Sequence, residues 1–188
     1  MGFTIDLGKA GPDFKLKGVD GKSHSLKGYA HKKVVVVIFT CNHCPAAIKA
    51  EDRLIELQRD YAAKGVQLIA INSNETVEHP TDSFEYMVER AAQKRFNFPY
   101  LRDDTQKVAT AYGAMRTPHC FVLDEARKVV YRGRVDDNID DAAAVTRYDL
   151  REAIDETLAG KRVSVPATEP VGCNVKWLGK DPHWMPEQ

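Results

Sequence analysis

What this chain lacks narrows it first. It has no surplus of charge, with 27 Lys and Arg against 27 Asp and Glu over 188 residues. Nucleic-acid binding draws on a basic excess to release counterions, and an anionic membrane surface draws on a polybasic patch, so neither is expected as a partner. It has no long apolar run. The longest, Val34 to Phe39, falls far short of the roughly 20 residues that span a bilayer. The N-terminus, Met1-Gly2-Phe3-Thr4-Ile5-Asp6, shows neither the basic nor the apolar region of a secretory signal, and Asp6 stands where myristoylation wants Ser or Thr. The expected address is the cytoplasm. There is no internal repeat, no low-complexity segment and no Gly-rich phosphate loop. The acidic pairs Asp103-Asp104, Asp136-Asp137 and Asp140-Asp141 lack the ligand spacing of a calcium loop and read as turn and loop residues. No cofactor and no metal are expected, and nothing points to an oligomeric state.

Cysteine is scarce as well, at four: Cys41, Cys44, Cys120 and Cys173. A chain of this length buries roughly 70% of its unfolded surface and needs no disulfide staples. One domain is expected over residues 1–160. Residues 161–188 hold Pro166, Pro170, Pro182 and Pro186 and read as a tail, packed on the domain or partly flexible.

What is present is an alternation of strands and helices. Asp20-Gly21 between two short alternating runs predicts a β-hairpin. Val34 to Phe39 is continuous and β-branched, the pattern of a strand buried on both faces. From Cys44 to Lys64, Ile48, Leu54, Ile55, Leu57 and Tyr61 recur at helical spacing, with Gly65 as C-cap. Val66 to Asn72 predicts a second buried strand. Thr81 or Asp82 can cap a helix to about Lys94, with Phe84, Met87, Val88 and Ala91 on one face. A short strand at Phe98–Leu101, a short helix at Thr105–Tyr112, strands at Cys120–Leu123 and Val129–Val135 and a helix at Arg147–Leu158 complete the order. Strand, helix, strand early in the chain implies a parallel βαβ unit.

Against this background Cys41-Asn42-His43-Cys44 stands where a buried strand ends and a helix begins. Unpaired N–H groups and the positive dipole end of a helix stabilise a thiolate there, and a second cysteine three residues on can attack a mixed disulfide. Pro45 suits the first turn, where a missing N–H costs nothing. His43 reads either as a tuner that favours the thiolate or as an exposed helix-start residue. Thr117-Pro118, just before a strand, is a candidate cis peptide.

Together these residues resemble the thioredoxin superfamily over residues 10 to 160. The Cys41 to Pro45 segment, Ala70-Ile71-Asn72-Ser73-Asn74, Tyr131 to Asn138 and Pro170 to Trp177 are similar to its peroxiredoxin-like branch, the alkyl hydroperoxide reductase/thiol-specific antioxidant-type group. The resemblance implies an α/β thioredoxin-like fold, with a central mixed sheet flanked by helices, an N-terminal hairpin extension and a C-terminal tail. It also implies a cis bond at Thr117-Pro118 and thiol–disulfide oxidoreductase activity, with Cys41 attacking and Cys44 resolving. His43, Thr117 and Pro118 are candidate supporting residues, and protein or small-molecule disulfides and thiols are the expected partners. Cys173 is a candidate third redox thiol, although nothing in the sequence brings the tail back to the pair.

Departures from the family pattern qualify the resemblance. Thr40 stands where thioredoxins place Trp, and Val34 to Phe39 contains no buried acid. Glu51 could substitute for that acid or be a solvated helix charge. The peroxiredoxin pattern P-x-x-x-T-x-x-C fails, because Val36 occupies the proline position relative to Thr40. Thiol peroxidase activity is therefore the alternative reading. A metal module built from Cys41, Cys44 and Cys120 with His43 or His119 is a further one, although a single C-x-x-C is half of a structural zinc site. Cys120 is expected in the sheet core, His119 at a loop or edge, and Trp177 and Trp184 as tail anchors.

Overall fold

A computed structural model describes residues 3–187. The hairpin forms as the turn chemistry predicts: β1 (Lys15–Gly18) and β2 (Ser23–Ser25) pair antiparallel. The apolar run Val34–Phe39 is β3, with every residue buried. Its side chains alternate between two layers, as strand geometry requires. Val34, Val36 and Ile38 enter one core, while Val35, Val37 and Phe39 enter the other.

The chain then makes α1 (Pro45–Tyr61), closed through a short 3-10 turn at the left-handed Gly65, and returns as β4 (Val66–Asn72), parallel to β3. Next come α2 (Phe84–Lys94), β5 (Tyr100–Arg102), α3 (Lys107–Tyr112), β6 (Arg116–Thr117), β7 (His119–Leu123), β8 (Val129–Gly133), α4 (Asp149–Leu158) and β9 (Cys173–Asn174). The large sheet has the order β2-β1-β5-β4-β3-β7-β8. Its centre is parallel, and β3–β7 and β7–β8 are antiparallel. Leu54 and Leu57 of α1, Met87 of α2, and Leu150 and Ile154 of α4 fill one face, and Val108, Ala109 and Tyr112 of α3 fill the other together with Trp177. This is an α/β thioredoxin-like fold with a mixed sheet between helices. No described helix is long and apolar enough to cross a membrane.

Some local expectations need correction. Ile48 and Val88 belong to the periodic faces but are exposed, because each faces the rim of its helix rather than the sheet. The N-cap of α2 is Ser83, whose hydroxyl accepts from the Tyr86 N–H, so neither Thr81 nor Asp82 caps it. His119 is neither loop nor edge. It is buried within β7, its Nδ1 accepts the Met115 N–H at 3.1 Å, and burial, with Arg132 nearby, lowers its pKa to about 3. Asp103 and Asp136 lie in loops but are buried: Asp103 accepts from Ser73 and the Ala109 N–H, and Asp136 pairs with Arg53 at 2.9 Å. Glu51 is buried rather than solvated, and Arg90 of α2 clasps it through both oxygens.

The tail folds back onto the domain. Trp177 is buried in the face that carries α3 and packs edge-on to Trp184 at 5.2 Å. Lys176 O accepts from the Glu75 N–H and from Gln106, and the Lys176 N–H donates to Asn74 Oδ1. β9 lies antiparallel to β6, pairing Thr117 with Cys173.

Candidate functional site

Four short segments meet where β3 ends. The first is Cys41-Asn42-His43-Cys44, leading into α1 with Cys44 as N-cap and Pro45 opening the first turn. The second is Thr117-Pro118, which is cis. The third is the loop after β4, from Asn72 to Asp82. The fourth is the returning tail at Cys173.

The two motif sulfurs sit in a small apolar nest with Ala46, Ala47 and Cys173. Cys41 is 3% exposed and Cys44 fully buried. Cys41 Sγ accepts the Cys44 N–H at 3.4 Å and lies 3.4 Å from the Thr117 hydroxyl. Cys44 Sγ lies 3.3 Å from the Thr117 carbonyl, to which its proton can donate, and it accepts the Cys173 N–H at 3.3 Å. The two thiols ionise as a unit, because the sulfur that loses its proton accepts from the thiol that keeps one. The Cys41 thiol in this way draws Cys44 down to about 4, against the opposing effect of burial and with help from Cys173 and the Ala47 N–H. The same contact holds the Cys41 proton, and burial and the Asp82 carboxylate add to it.

Asp82 is the site residue that sequence reasoning missed. Its fully buried carboxylate gathers the motif and the β4 loop at one point. It accepts the Asn42 N–H at 2.7 Å and side-chain amides from Asn72 and Asn74 at 3.0 Å each. His43 Nδ1 lies 2.6 Å from an Asp82 oxygen without hydrogen-bond alignment. The His43 ring stacks on His79 at 5.6 Å, and His79 is held by Glu75. Asn42 is fixed further: it donates to Thr81 O and accepts from the Tyr100 hydroxyl at 2.7 Å. Arg102 closes the loop from below through the carbonyls of Asn72, Asn74 and Asp82. The legible signal was Asn72-Ser73-Asn74, three small polar residues directly after a buried strand, which need buried partners.

The structure thus brings together Cys41, His43, Cys44, Thr117, Pro118 and Cys173. It leaves Cys120 and His119 elsewhere. Cys120 is buried in the sheet core opposite Ile38 on β3, and burial pushes its thiol up. Glu51 contacts Arg90 rather than a cysteine. Among the described residues, Cys41, His43 and Asp82 form one group of possible metal ligands, with atoms within 4.8 Å of one another. The set suits a metal poorly. Two ligands on a tetrahedral zinc stand about 3.3 Å apart, whereas His43 and Asp82 approach to 2.6 Å and both Asp82 oxygens already accept amide protons.

Comparison with known proteins agrees with this geometry. The Redoxin family model matches residues 6–149, and the chain belongs to that family. The thiol-disulfide oxidoreductase ResA of Bacillus thuringiensis (strain Al Hakam) is 30% identical over 126 residues, which is 67% of this chain and 68% of ResA. The chloroplastic peroxiredoxin Q of Triticum aestivum is 25% identical, over 68% of this chain and 58% of its own length. An uncharacterized conserved protein from Geobacillus kaustophilus has a crystal structure that superposes with a TM-score of 0.88 at 39% identity, covering 94% of each chain.

Proposed function

We propose that the protein is a thiol–disulfide oxidoreductase that cycles Cys41 and Cys44 between dithiol and disulfide. The carrying observation is the nest itself: two cysteines at a helix N-terminus, hydrogen-bonded through one backbone N–H and flanked by the Thr117 hydroxyl and carbonyl. The family membership and the ResA relative support the same reading.

In this mechanism the attacking sulfur is Cys41, since it keeps some surface and Cys44 has none. Passing a proton from Cys41 to Cys44 puts the charge on Cys41, where the Cys44 N–H and the Thr117 hydroxyl donate to it. The proton on Cys44 then finds the Thr117 carbonyl. Cys41 displaces one sulfur of a protein or small-molecule disulfide as a thiolate and forms a mixed disulfide. Cys44 loses its proton and attacks the Cys41 sulfur, the second substrate thiolate leaves, and the substrate is reduced. His43, held by Asp82, stands at the mouth of the pair and tunes the charge there.

The failed peroxiredoxin pattern, with Val36 in the proline position, speaks against peroxide as the ordinary substrate. The test is reduction of a small aromatic disulfide by the reduced protein, followed by release of the thiol chromophore. The wild type should release both thiols of each substrate molecule, Cys44→Ser should stop at a one-to-one mixed disulfide, and Cys41→Ser should react at least 100-fold more slowly. Equal rates in wild type and Cys41→Ser would reject the proposal.

A further inference from the structure

Three sulfurs, not two, share the nest, and the third belongs to the tail. Cys173 packs against the Cys41–Cys44–Ala47 group, its side chain touches Cys44, and its N–H points at Cys44 Sγ from 3.3 Å. This placement is built in. β9 pairs Thr117 with Cys173 and Arg116 with Asn174, which fixes the register of the tail at the site. Gly172 lets the tail approach this closely, since a Cβ there would meet the Thr117 carbonyl oxygen at 2.0 Å. On the other side Val175 and Trp177 are buried and Lys176 is bonded to Glu75, Asn74 and Gln106. The exposures add an asymmetry. Cys41 and Cys44 are buried, whereas Cys173 is partly open to solvent.

We propose that Cys173 is a catalytic thiol that takes the disulfide over from the buried pair, forming Cys44–Cys173 and presenting it to an external thiol reductant. This rests on the dithiol chemistry proposed above and adds how the site is recharged. The step is an exchange within the chain. The Cys173 thiol gives up its proton, its sulfur attacks Cys44 Sγ, the S–S bond between Cys41 and Cys44 breaks as the new bond forms, and the electron pair stays on Cys41, which takes up a proton. No oxidant enters beyond the substrate disulfide that made the Cys41–Cys44 bond. Recharging is the same chemistry from outside: a small thiol or dithiol attacks the accessible Cys173 sulfur and releases Cys44 as the leaving thiolate, and a second thiol completes the reduction.

The resting charges suit this order of events. In the reduced protein, burial and the neighbouring Cys44 sulfur push the Cys173 thiol up to about 11. Once Cys44 is in a disulfide it no longer carries charge, and the nearby Lys176 and Arg116, which favour the thiolate, are opposed by burial alone. Cys173 thus ionises more readily once the pair is oxidised than while it is reduced, although burial, the largest of the raising causes, stays in place.

The test is disulfide mapping after oxidation with oxidised glutathione, with acid quenching, alkylation and mass spectrometry of the peptides, on wild type and on Cys41→Ser. Wild type should show Cys41–Cys44 at early times and Cys44–Cys173 accumulating after it. In Cys41→Ser, most of the oxidised chain should carry Cys44–Cys173, formed through a glutathione adduct. If that peptide is missing from both proteins while wild type makes Cys41–Cys44, the relay is wrong and the dithiol reading stands. If wild type never makes Cys41–Cys44, the dithiol reading fails and the relay falls with it.

Discussion

At the scale of single residues, a buried carboxylate organises the site. Asp82 carries no solvent exposure and accepts from one backbone and two side-chain amides, with His43 against it. Asp82→Asn replaces one accepting oxygen with a donor facing other donors, and leaving a buried donor unsatisfied costs about 1–3 kcal/mol. The expected outcome is a loss of about 2 kcal/mol in urea unfolding. Removing the charge beside Cys41 also eases its ionisation, so the second thiolate step of the pair, followed at 240 nm above the Cys44 step, should come at lower pH in Asp82→Asn than in wild type. His119 gives a second residue-scale prediction. Its imidazole is neutral and buried, with a pKa lowered from 6.5 to about 3. The unfolded chain therefore binds the proton first, and stability that is intact above pH 6.5 is lost as pH falls from 6.5 towards 3. At about 1.4 kcal/mol per pKa unit, the limit of this loss is on the order of 5 kcal/mol. His119→Gln should flatten the stability curve over that window, measured by urea midpoints at pH 7, 5 and 4.

At the scale of elements, α1 and α2 are latched by Arg90 on Glu51. Burial raises the Glu51 carboxyl above its ordinary 4.5, while Arg90 pulls it back. Arg90→Ala leaves the carboxyl buried and unpaired, and breaking such a pair costs about 3–5 kcal/mol. With Arg90 gone the folded-state pKa rises further. A carboxyl whose folded pKa exceeds its unfolded value loses stability as pH climbs above the unfolded value. Arg90→Ala should therefore be closer to wild type at pH 4.5 than at pH 7, and an equal deficit at both would contradict the latch. The elements themselves were largely legible because each carries its own period. Val34–Phe39 is short, continuous and rich in β-branched residues, the pattern of a buried strand, and Gly65 and Gly113 end their helices in the left-handed region. Ile48 and Val88 were misplaced because a helical stripe is broad and its margins are decided by which neighbours arrive. Asp82 was misread as a cap because Ser83, one residue on, competes for that role with the same chemistry.

At the scale of the whole molecule, the site is closed by residues far apart in the chain. The motif itself was readable locally, since strand, Cys-x-x-Cys and helix are contiguous. The contribution of the tail was not, because β6–β9 pairing joins Thr117 to Cys173 and no local pattern in a Pro-rich segment announces a two-residue strand. The aromatic pair Trp177–Trp184 was legible as an anchor, and the structure shows what it holds: the segment that delivers Cys173. Trp177→Ala should cost about 3–5 kcal/mol, as large core truncations do, and should raise amide hydrogen exchange in residues 172–178 more than in β3 or β4. Uniform change across the chain would mean that the tail is not a separable anchored segment.

The proposed activity depends most directly on the pairing of Cys41 with Cys44. The decisive measurement is a glutathione redox titration of Cys173→Ser, in which the tail thiol cannot compete, with acid quenching and mass mapping at each point. The proposed activity requires a reversible Cys41–Cys44 disulfide at a midpoint more oxidising than the roughly −270 mV of thioredoxin, because the contacts from Cys41, Cys173 and the Ala47 N–H favour the thiolate at Cys44. A pair that stays reduced across every buffer, or cysteines that take up glutathione without joining each other, would contradict it.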